Sequence, residues 1–450
     1  MTHGFHEYPA GMQAAAADRC LDVLPGDSLL DPFCGSGTSI TVGMTKGYCG
    51  FGVDVSPLAT FVASHRGWRP VWGEQTLKLL RATAKASINN MEDAAKLLME
   101  ETERASKVET AGGDAKTNGT RGASPTGAVP RDWRPIQKAL ALELESGKLM
   151  SALKSQGKEP GVPGALWFCL SVALQRSQKG RGKKRPYKKQ RKKAAINAEA
   201  SDSILTPQQV SCGDAFVTCV DEYCDRIGEL LIRVPGDVPQ PVYFNKDVRR
   251  VTLPTQIDAV LTSPPYPGVY DYLSFARKVR AGSGTATKLT AGAGALRDEA
   301  DGVNATKETA NETAKEIVPG SEGYFKTAVP ADRTWPKEWT SLEIGSRKAL
   351  RSDPYAFKEQ WQKEQEGWLG MVARSLKPGG RAAVMVGDGA NINTQKSILE
   401  AGEVCGLKGI AAVTMALSHS MEDGRVWNAA RKEHLVLLEK PVGGGGVRPL

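Results

Sequence analysis

The segment between residues 28 and 54 constrains the fold more than any other part of the chain. Ser28–Asp31 has the pattern of a short strand, and a glycine-rich turn follows it and opens a helix that runs through Gly43. A second apolar strand, Cys49–Asp54, comes next. A strand, a tight turn, a helix and another strand form a βαβ unit, which requires a parallel sheet. The chain is therefore predicted to be an α/β protein.

The same turn points to a nucleotide-like ligand. Gly35 and Gly37 allow the backbone to approach a ligand closely. Asp54, at the end of the second strand, lies where an acid accepts hydrogen bonds from ribose hydroxyls. A dinucleotide fingerprint would have a third glycine where Ile40 stands, and no Gly-x-x-x-x-Gly-Lys-Ser/Thr phosphate loop occurs. A nicotinamide-dependent enzyme is therefore disfavoured.

A second informative segment runs from Ile257 to Tyr272. Its apolar beginning predicts a buried strand, and the proline pair at 264 and 265 ends that strand because proline has no N–H for the ladder. Ser263 offers a hydroxyl, the loop offers free carbonyl oxygens and Tyr266 offers a flat ring. These groups suit a planar amine, with oxygens accepting its hydrogens and the ring stacking on its face. The alternative is an ordinary proline turn after a strand.

The rest of the chain alternates between regular and irregular parts. Residues 210–216 predict a short strand that ends at Asp214. The last third predicts a helix at 353–375, a strand at 381–387, a helix at 394–406, and strands at 410–416 and 434–438. Residues 73–206 are expected to be an insertion, partly helical and partly disordered, with a separate compact domain as the alternative. Residues 276–334 are expected to be a second, flexible insertion because Gly, Ala and Thr dominate much of them.

The net charge of +9 is concentrated in one segment. Arg176–Lys193 holds eleven Lys and Arg residues and no acid, so the remainder of the chain is close to neutral. Such a run is most often a solvated loop, and its functional interpretations are phosphate contact or a nuclear address. Eight scattered cysteines without a Cys-x-x-Cys pair disfavour a zinc site or a disulfide framework and fit an intracellular, reducing compartment. No apolar run reaches the roughly 18 residues of a membrane span.

Several motifs, in order, resemble those of S-adenosylmethionine-dependent DNA amino-methyltransferases. They are His6-x-Tyr-Pro-Ala, Asp31-Pro-Phe-Cys-Gly-Ser-Gly-Thr, Gly-Val-Asp54, Gly-Asp214, Thr262-Ser-Pro-Pro-Tyr and Leu376-Lys-Pro-Gly-Gly. Serine at 263 makes the chain most similar to the cytosine-N4 type. The resemblance covers residues 1–70, 207–275 and 335–440. It implies a Rossmann-like class I methyltransferase fold: a doubly wound, mostly parallel sheet with an antiparallel last strand.

The resemblance also implies roles for individual residues and a target cytosine rotated out of DNA. The implied catalytic residues are Ser263, Pro264, Pro265 and Tyr266. The implied S-adenosylmethionine contacts are His6, Tyr8, Pro9 and Ala10 over the methionine end, Asp31, Pro32, Phe33, Gly35, Gly37 and Thr38 in the turn, Asp54 and Ser56 at the ribose, and Asp214 at the adenine. Substrate contacts are expected from Tyr270, Asp271, Arg333, Trp335 and Arg347. No metal is expected.

The implied domain plan follows the motifs. It places the cofactor half at 1–72, the first insertion at 73–206, the catalytic part at 207–275, the second insertion at 276–334, the rest of the sheet at 335–440 and a tail at 441–450. No target-reading domain of ordinary size is obvious. The 73–206 insertion and the segment 324–351 are the two candidates for that role. For the second segment, a helix packed on the edge of the sheet is the alternative.

Three alternatives stay open. The first is an adenine-N6 DNA enzyme, although these usually have Asp or Asn where Ser263 stands. An RNA base enzyme, such as a tRNA guanine-N2 methyltransferase, is the second alternative. The third is an inactive cofactor-binding scaffold whose basic run recruits nucleic acid. Cytosine-C5 chemistry is disfavoured because it needs a thiolate, usually in a Pro-Cys pair, and no such pair occurs.

Overall fold

A seven-stranded sheet with helices on both faces forms the centre of the protein, which we describe from a computed structural model. The structure describes residues 2–6, 8, 11–100, 133–146, 161–179, 211–272, 342–416, 419–420, 426–427 and 432–443. Within these residues none of the helices is both long and apolar enough to cross a membrane.

The helices and strands are numbered in chain order. The helices are α1 (Ala14–Leu21), α2 (Thr38–Thr45), α3 (Pro57–Arg66), α4 (Glu74–Asn89), α5 (Arg134–Ser146), α6 (Val162–Lys179), α7 (Cys212–Arg233), α8 (Arg347–Ser352), α9 (Pro354–Ser375) and α10 (Thr394–Val404). The strands are β1 (Ser28–Asp31), β2 (Cys49–Val53), β3 (Val242–Phe244), β4 (Ile257–Thr262), β5 (Leu376–Gly387), β6 (Lys408–Ala416), β7 (His419–Ser420), β8 (Val426–Trp427) and β9 (Lys432–Glu439).

The strand order is β3-β2-β1-β4-β5-β9-β6, and β7 pairs separately with β8. Strands β1 to β5 run parallel to one another, whereas β9 is antiparallel to both β5 and β6. The predicted mostly parallel sheet with an antiparallel last strand is therefore confirmed. The order reverses between β1 and β4, and in such sheets ligands bind beyond the carboxyl ends of the strands at that point.

Alternate residues of each strand serve the two faces of the sheet. Leu29 belongs to the core that α1 and α2 cover, together with Ile40. Leu30, the next residue, belongs to the opposite core, where Trp361 and Trp368 of α9 pack. Both leucines are fully buried. Burial on both faces is why the predicted strands are apolar throughout rather than alternating.

A layer of helices α4 to α7 adds a third core beside α3. The helices α4, α5 and α6 come from the segment predicted as an insertion, and their apolar faces pack with α7 and with Phe5. The hydroxyl of Tyr223 on α7 donates to the carbonyl of His65 on α3 at 2.7 Å. The helical part of the insertion is thus continuous with the sheet domain. The basic run from 180 onward and the expected flexible insertion at 276–334 lie outside the described residues.

Two local predictions were wrong. Residues 211–214 do not form a strand, because Ser211 caps α7 by accepting a hydrogen bond from the Asp214 amide at 3.0 Å. Serine at this position, ahead of a long amphipathic helix, is a helix-start signal. The segment 376–380, which the sequence left between the predicted helix at 353–375 and the predicted strand at 381–387, belongs to β5, whose register against β4 shifts between Ile257 and Ala259.

Candidate functional site

The carboxylate of Asp31 joins the glycine-rich turn to β4. Asp31 ends β1, and its Oδ1 accepts a hydrogen bond from the Phe33 amide at 3.0 Å and from the Thr262 hydroxyl at 2.7 Å. The Ser39 hydroxyl of α2 donates to its other oxygen. Burial raises the pKa of Asp31 to about 6, although the bonds from Ser39 and Thr262 act in the opposite direction. One buried acid thus holds the turn beside the residue that precedes Ser263.

The two glycines of the turn meet different constraints. Gly37 has φ of +76°, and a Cβ there would lie 2.8 Å from the Cβ of Ala63 on α3. Gly35 has φ of +48°, and a Cβ there would lie 3.3 Å from the ring of Tyr8. Positive φ is costly for any residue with a Cβ. Gly37 therefore allows α2 to pack on α3, and Gly35 keeps the backbone of the turn close to the cavity.

Asp54 directly follows β2, and its side chain faces the glycine-rich turn. One of its oxygens accepts from the Gly35 amide at 3.0 Å, and the other accepts from the Ser56 amide at 2.8 Å. Burial raises the pKa of Asp54 to about 7, which these two backbone bonds only partly offset. Each oxygen keeps a lone pair beyond its amide bond and can accept a hydrogen from a ligand.

A cavity with about 890 Å³ of atom-free space, counted out to its open mouth, lies at this edge of the sheet. Its described walls are Tyr8, Gly11, Met12, Asp31, Pro32, Phe33, Cys34, Gly35, Ser36, Thr38, Ser39, Asp54, Val55, Ser56, Asp247, Val248, Ser263, Pro265, Tyr272, Leu342, Glu343 and Ile344. We call it the main cavity.

The main cavity brings the two sequence motifs together. The turn contributes Asp31 and Gly35, and the proline loop contributes Ser263 and Pro265. Four carboxylates line it, those of residues 31, 54, 247 and 343, whereas no lysine, arginine or histidine is among its described walls. Among the described ion pairs of these carboxylates is that of Asp247 with Arg249, at 2.9 Å. The cavity is therefore suited to a ligand with hydroxyl or amine donors or a positive charge, and it is unsuited to a phosphate.

Tyr266 packs away from the walls of the main cavity, against the next strand. A Cβ on Gly387 of β5 would lie 2.5 Å from the ring, so the glycine leaves the space that the ring fills. The Tyr266 hydroxyl donates to Glu433 of β9 at 3.3 Å. Burial, and then the Glu433 carboxylate, raise the pKa of Tyr266 to about 12, while a hydrogen bond with Ser263 lowers it. The phenol thus links the Ser263 hydroxyl to the antiparallel strand.

Other residues predicted for the site lie in three places. Gly37 is behind the turn, Pro264 is buried and His6 lines a neighbouring cavity with Arg66, so these three are not walls of the main cavity. Tyr270, Asp271 and Arg347 lie beside it, where Asp271 accepts from the Lys348 amide at 3.0 Å and meets Arg347 at 3.4 Å. Pro9, Ala10, Arg333 and Trp335 lie outside the described residues.

The placement of Asp214 was wrong. It sits in the first turn of α7, where its carboxylate accepts from the Ser211 hydroxyl at 2.6 Å, and it does not line the main cavity. The acid that follows the third parallel strand is Asp247, which does line it. The signal for Asp247 was an apolar triplet, Val242–Phe244, followed by a polar turn. Three residues are too few to stand out by periodicity.

Tyr272 and Glu343 are further walls that the sequence did not indicate. The Tyr272 amide donates to the Glu343 carboxylate, which lies 71 residues further along the chain. Burial raises the pKa of Tyr272, so its hydroxyl stays protonated and able to donate. No local pattern predicts a contact over this sequence distance.

Among the residues that the structure describes, no group of three or more His, Cys, Asp or Glu side chains could hold a metal ion. No family model and no curated protein matches the chain. A solved structure from Thermus thermophilus, provisionally described as a DNA modification methylase, is 23% identical over 23% of this chain and 43% of that chain, with a TM-score of 0.16. The matched part is less than half of that protein's own length. A likeness this slight says nothing about the activity of this chain.

Proposed function

We propose that this protein is an S-adenosylmethionine-dependent DNA methyltransferase that methylates the N4 amine of cytosine. The observation that carries the proposal is the main cavity, where the glycine turn and the Ser-Pro-Pro loop meet between carboxylates with no basic side chain among the described walls. A nucleoside with a sulfonium matches that charge, whereas a phosphate-bearing nucleotide would be repelled.

The residues of the cavity fit such a cofactor. Asp54 has free lone pairs for the two ribose hydroxyls, since each oxygen already holds one backbone amide. Gly35 leaves room for a ligand to lie on the turn, because a side chain there would fill the space in front of Tyr8. Asp247 and Val248 line the part of the cavity beyond β3 and are suited to an adenine amine and its ring. When bound, S-adenosylmethionine would supply an electrophilic methyl group.

On the acceptor side, Ser263 and Pro265 line the same cavity. An exocyclic amine is a weak nucleophile because its lone pair is conjugated with the ring. The Ser263 hydroxyl would accept one of its hydrogens and so turn the lone pair toward the methyl group. A target base must leave the DNA duplex to reach this loop. The Tyr266 ring, packed behind the loop against Gly387, would hold the loop in position. Positioning supplies most of the acceleration, and solvent takes the proton after attack.

The test is labelled-methyl transfer from S-adenosylmethionine to DNA, followed by mass spectrometry of the product nucleosides. We expect N4-methylcytosine from the wild type and at least a hundredfold slower transfer from Tyr266→Ala, with cofactor binding retained. Tyr355→Ala is the matched control, because that ring is 95% exposed and is not among the described walls of the cavity. Wild-type transfer by Tyr266→Ala would refute the assignment of the loop.

The same product analysis separates the alternatives. N6-methyladenine in place of N4-methylcytosine would move the protein to the adenine-specific type, and methyl groups found in RNA alone would make it an RNA enzyme. Cofactor binding without transfer to either nucleic acid would favour an inactive scaffold. We favour cytosine because Ser263 contributes a hydroxyl where the adenine-specific resemblance has Asp or Asn.

A further inference from the structure

Arg66, the last residue of α3, is a buried arginine bonded only to neutral groups. Its side chain donates to the Ser36 carbonyl at 2.9 Å and to the Ser36 hydroxyl at 2.5 Å, and it meets the Nδ1 of His3 at 2.7 Å. The residue is 3% exposed. Its Nε has no hydrogen-bond partner within the described residues. Ser36 stands between the two glycines of the turn, so the guanidinium lies directly behind that turn.

No described carboxylate forms an ion pair with Arg66. Two other arginines of this part of the protein differ: Arg81 pairs with Asp225 at 2.7 Å, and Arg226 pairs with Glu222 at 2.7 Å. A buried charge without a counter-ion is strongly disfavoured. Burial lowers the pKa of Arg66 only to about 10, so the group is still a cation at neutral pH. A buried, charged arginine without a described counter-ion is suited to bind an anion that is not part of the chain.

A second cavity gives such an anion access to Arg66. Its described walls are His3, Gly4, His6, Tyr8, Gly11, Met12, Gln13, Ala14, Ser36, Thr38 and Arg66. Five of these residues, Tyr8, Gly11, Met12, Ser36 and Thr38, also line the main cavity, so the two cavities adjoin at the turn. Thr38 begins α2, whose N-cap Gly37 has no side chain to bond the first amides. The positive end of that helix adds to the field of the arginine.

The two cavities have opposite electrostatic character. The main cavity is lined by carboxylates, and the second by a guanidinium with no described carboxylate among its walls. The cofactor proposed above has matching parts: a nucleoside with a sulfonium, and an amino-acid end that carries a carboxylate. A ligand of that shape can place its sulfonium in the main cavity and its carboxylate at Arg66.

We propose that Arg66 forms the subsite for the carboxylate of the cofactor's amino-acid part. The inference rests on the proposed function and adds to it the residue that recognises this end of the ligand. Because Arg66 also donates hydrogen bonds to Ser36, ligand binding at Arg66 would stabilise the position of the turn. Arg66 is a binding residue, and it takes no part in the transfer step.

Calorimetric titration of the full chain with three ligands tests the subsite. The ligands are S-adenosylhomocysteine, its decarboxylated analogue and 5′-methylthioadenosine, which lacks the whole amino-acid part. We expect the wild type to bind S-adenosylhomocysteine at least tenfold more tightly than the decarboxylated analogue. Arg66→Gln should lose at least tenfold in affinity for S-adenosylhomocysteine and keep its affinity for 5′-methylthioadenosine within twofold. Retained binding of that nucleoside would also show that the variant is folded.

Arg69→Gln is the matched control. Arg69 also bonds to carbonyl oxygens, those of Pro235 and Val238, but it lines neither cavity. We expect it to change no affinity by more than twofold. If Arg66→Gln does not fold, Arg66→Lys and the ligand series on the wild type still test the subsite. Lysine keeps the charge, so Arg66→Lys should keep the preference for the ligand with the carboxylate.

The outcomes separate the two proposals. If the wild type binds none of the three ligands, the proposed function is wrong and the subsite falls with it. If the wild type binds all three with equal affinity, the function stands and the subsite is refuted. Equal losses for all three ligands in Arg66→Gln would also refute it, because the arginine would then act only by holding the turn.

Discussion

The two sides of the main cavity are built differently. On the cofactor side, Asp54 bonds to Ser56 and to Gly35, 2 and 19 residues away. On the acceptor side, the Tyr266 hydroxyl bonds to Glu433, 167 residues away, at 3.3 Å. The first side is held mainly by buried acids and backbone amides of one βαβ unit, with one further bond from Thr262 of β4 to Asp31. The second is held by side chains that meet only after the antiparallel strand β9 has joined the sheet.

This difference predicts a rigid cofactor side and a more adaptable acceptor side. Backbone amides and glycines without room for a Cβ define one conformation of the turn. Side-chain hydroxyls at longer distances can change partners at little cost. We therefore expect a substitution on the cofactor side to destabilise the whole turn. A substitution on the acceptor side should lower activity before it lowers stability.

The largest effect is expected from Gly37→Ala on the cofactor side. The new Cβ would lie 2.8 Å from the Cβ of Ala63, in addition to the strain of φ at +76°. Overpacking and left-handed strain together should cost about 3 kcal/mol of unfolding free energy, measured in urea. Gly47→Ala is the control, because φ there is +91° with nothing within 4 Å. It should cost about 1 kcal/mol, and equal losses in the two variants would argue against a tightly packed turn.

The pH dependence of stability probes the buried acid of the same side. The pKa of Asp54 is raised to about 7, whereas an unfolded Asp titrates at about 3.9. Between these values the folded state holds a proton that the unfolded state has lost, so the unfolding free energy should fall as pH rises from about 4 to about 7.

The slope from this one group is at most about 1.4 kcal/mol per pH unit. Urea unfolding of the wild type and Asp54→Asn measures it, because their difference in stability should change over this window and level off above it. Binding of S-adenosylhomocysteine should strengthen with pH over the same range, since ribose hydroxyls favour the ionised carboxylate. A difference between the two proteins that does not vary with pH would contradict the burial of a titrating Asp54.

On the acceptor side, Gly387→Ala should act mainly on activity. The new Cβ would displace the Tyr266 ring, which it meets at 2.5 Å, and a ring can shift where backbone cannot. We expect a loss of about 1–2 kcal/mol in stability and at least a tenfold loss in methyl transfer, with cofactor affinity unchanged. Gly236→Ala, where nothing lies within 4 Å, is the control. A parallel loss of cofactor affinity would mean that the two sides are not independent.

The smallest effect is expected from Tyr266→Phe. It removes one hydrogen bond of 3.3 Å to a partly buried carboxylate and keeps the ring. Thermal unfolding should show a change of about 0.5–1 kcal/mol, and methyl transfer should fall by less than tenfold. Loss of transfer comparable to that of Tyr266→Ala would show that the hydroxyl, rather than the ring, is the required group.

The contrast also explains what the sequence could predict. Asp31, Gly35 and Asp54 were found because a strand, a turn and a helix are local patterns. Glu433 and Gly387 were not found, because their contacts with Tyr266 depend on how β5 and β9 pair. Asp214 was misplaced for a related reason: a Gly-Asp pair fits both a strand end and a helix start, and the serine ahead of it decided for the helix.

Asp247 shows most clearly what could not be predicted from the sequence alone. It follows a strand of three residues, Val242–Phe244, which pairs with β2 only because helices α4 to α7 return the chain to that edge. Its importance comes from the order of the strands, which no segment of the sequence contains. The sheet class was predictable from one βαβ unit, whereas the full set of cavity walls required the assembled sheet.

The most direct test of the account is the crystal structure of the protein with S-adenosylhomocysteine. The account predicts the ribose hydroxyls on Asp54 and the sulfur facing Ser263 and Pro265 across open space large enough for a flat base. A ligand bound elsewhere, or a sulfur separated from Ser263 by protein atoms, would contradict it.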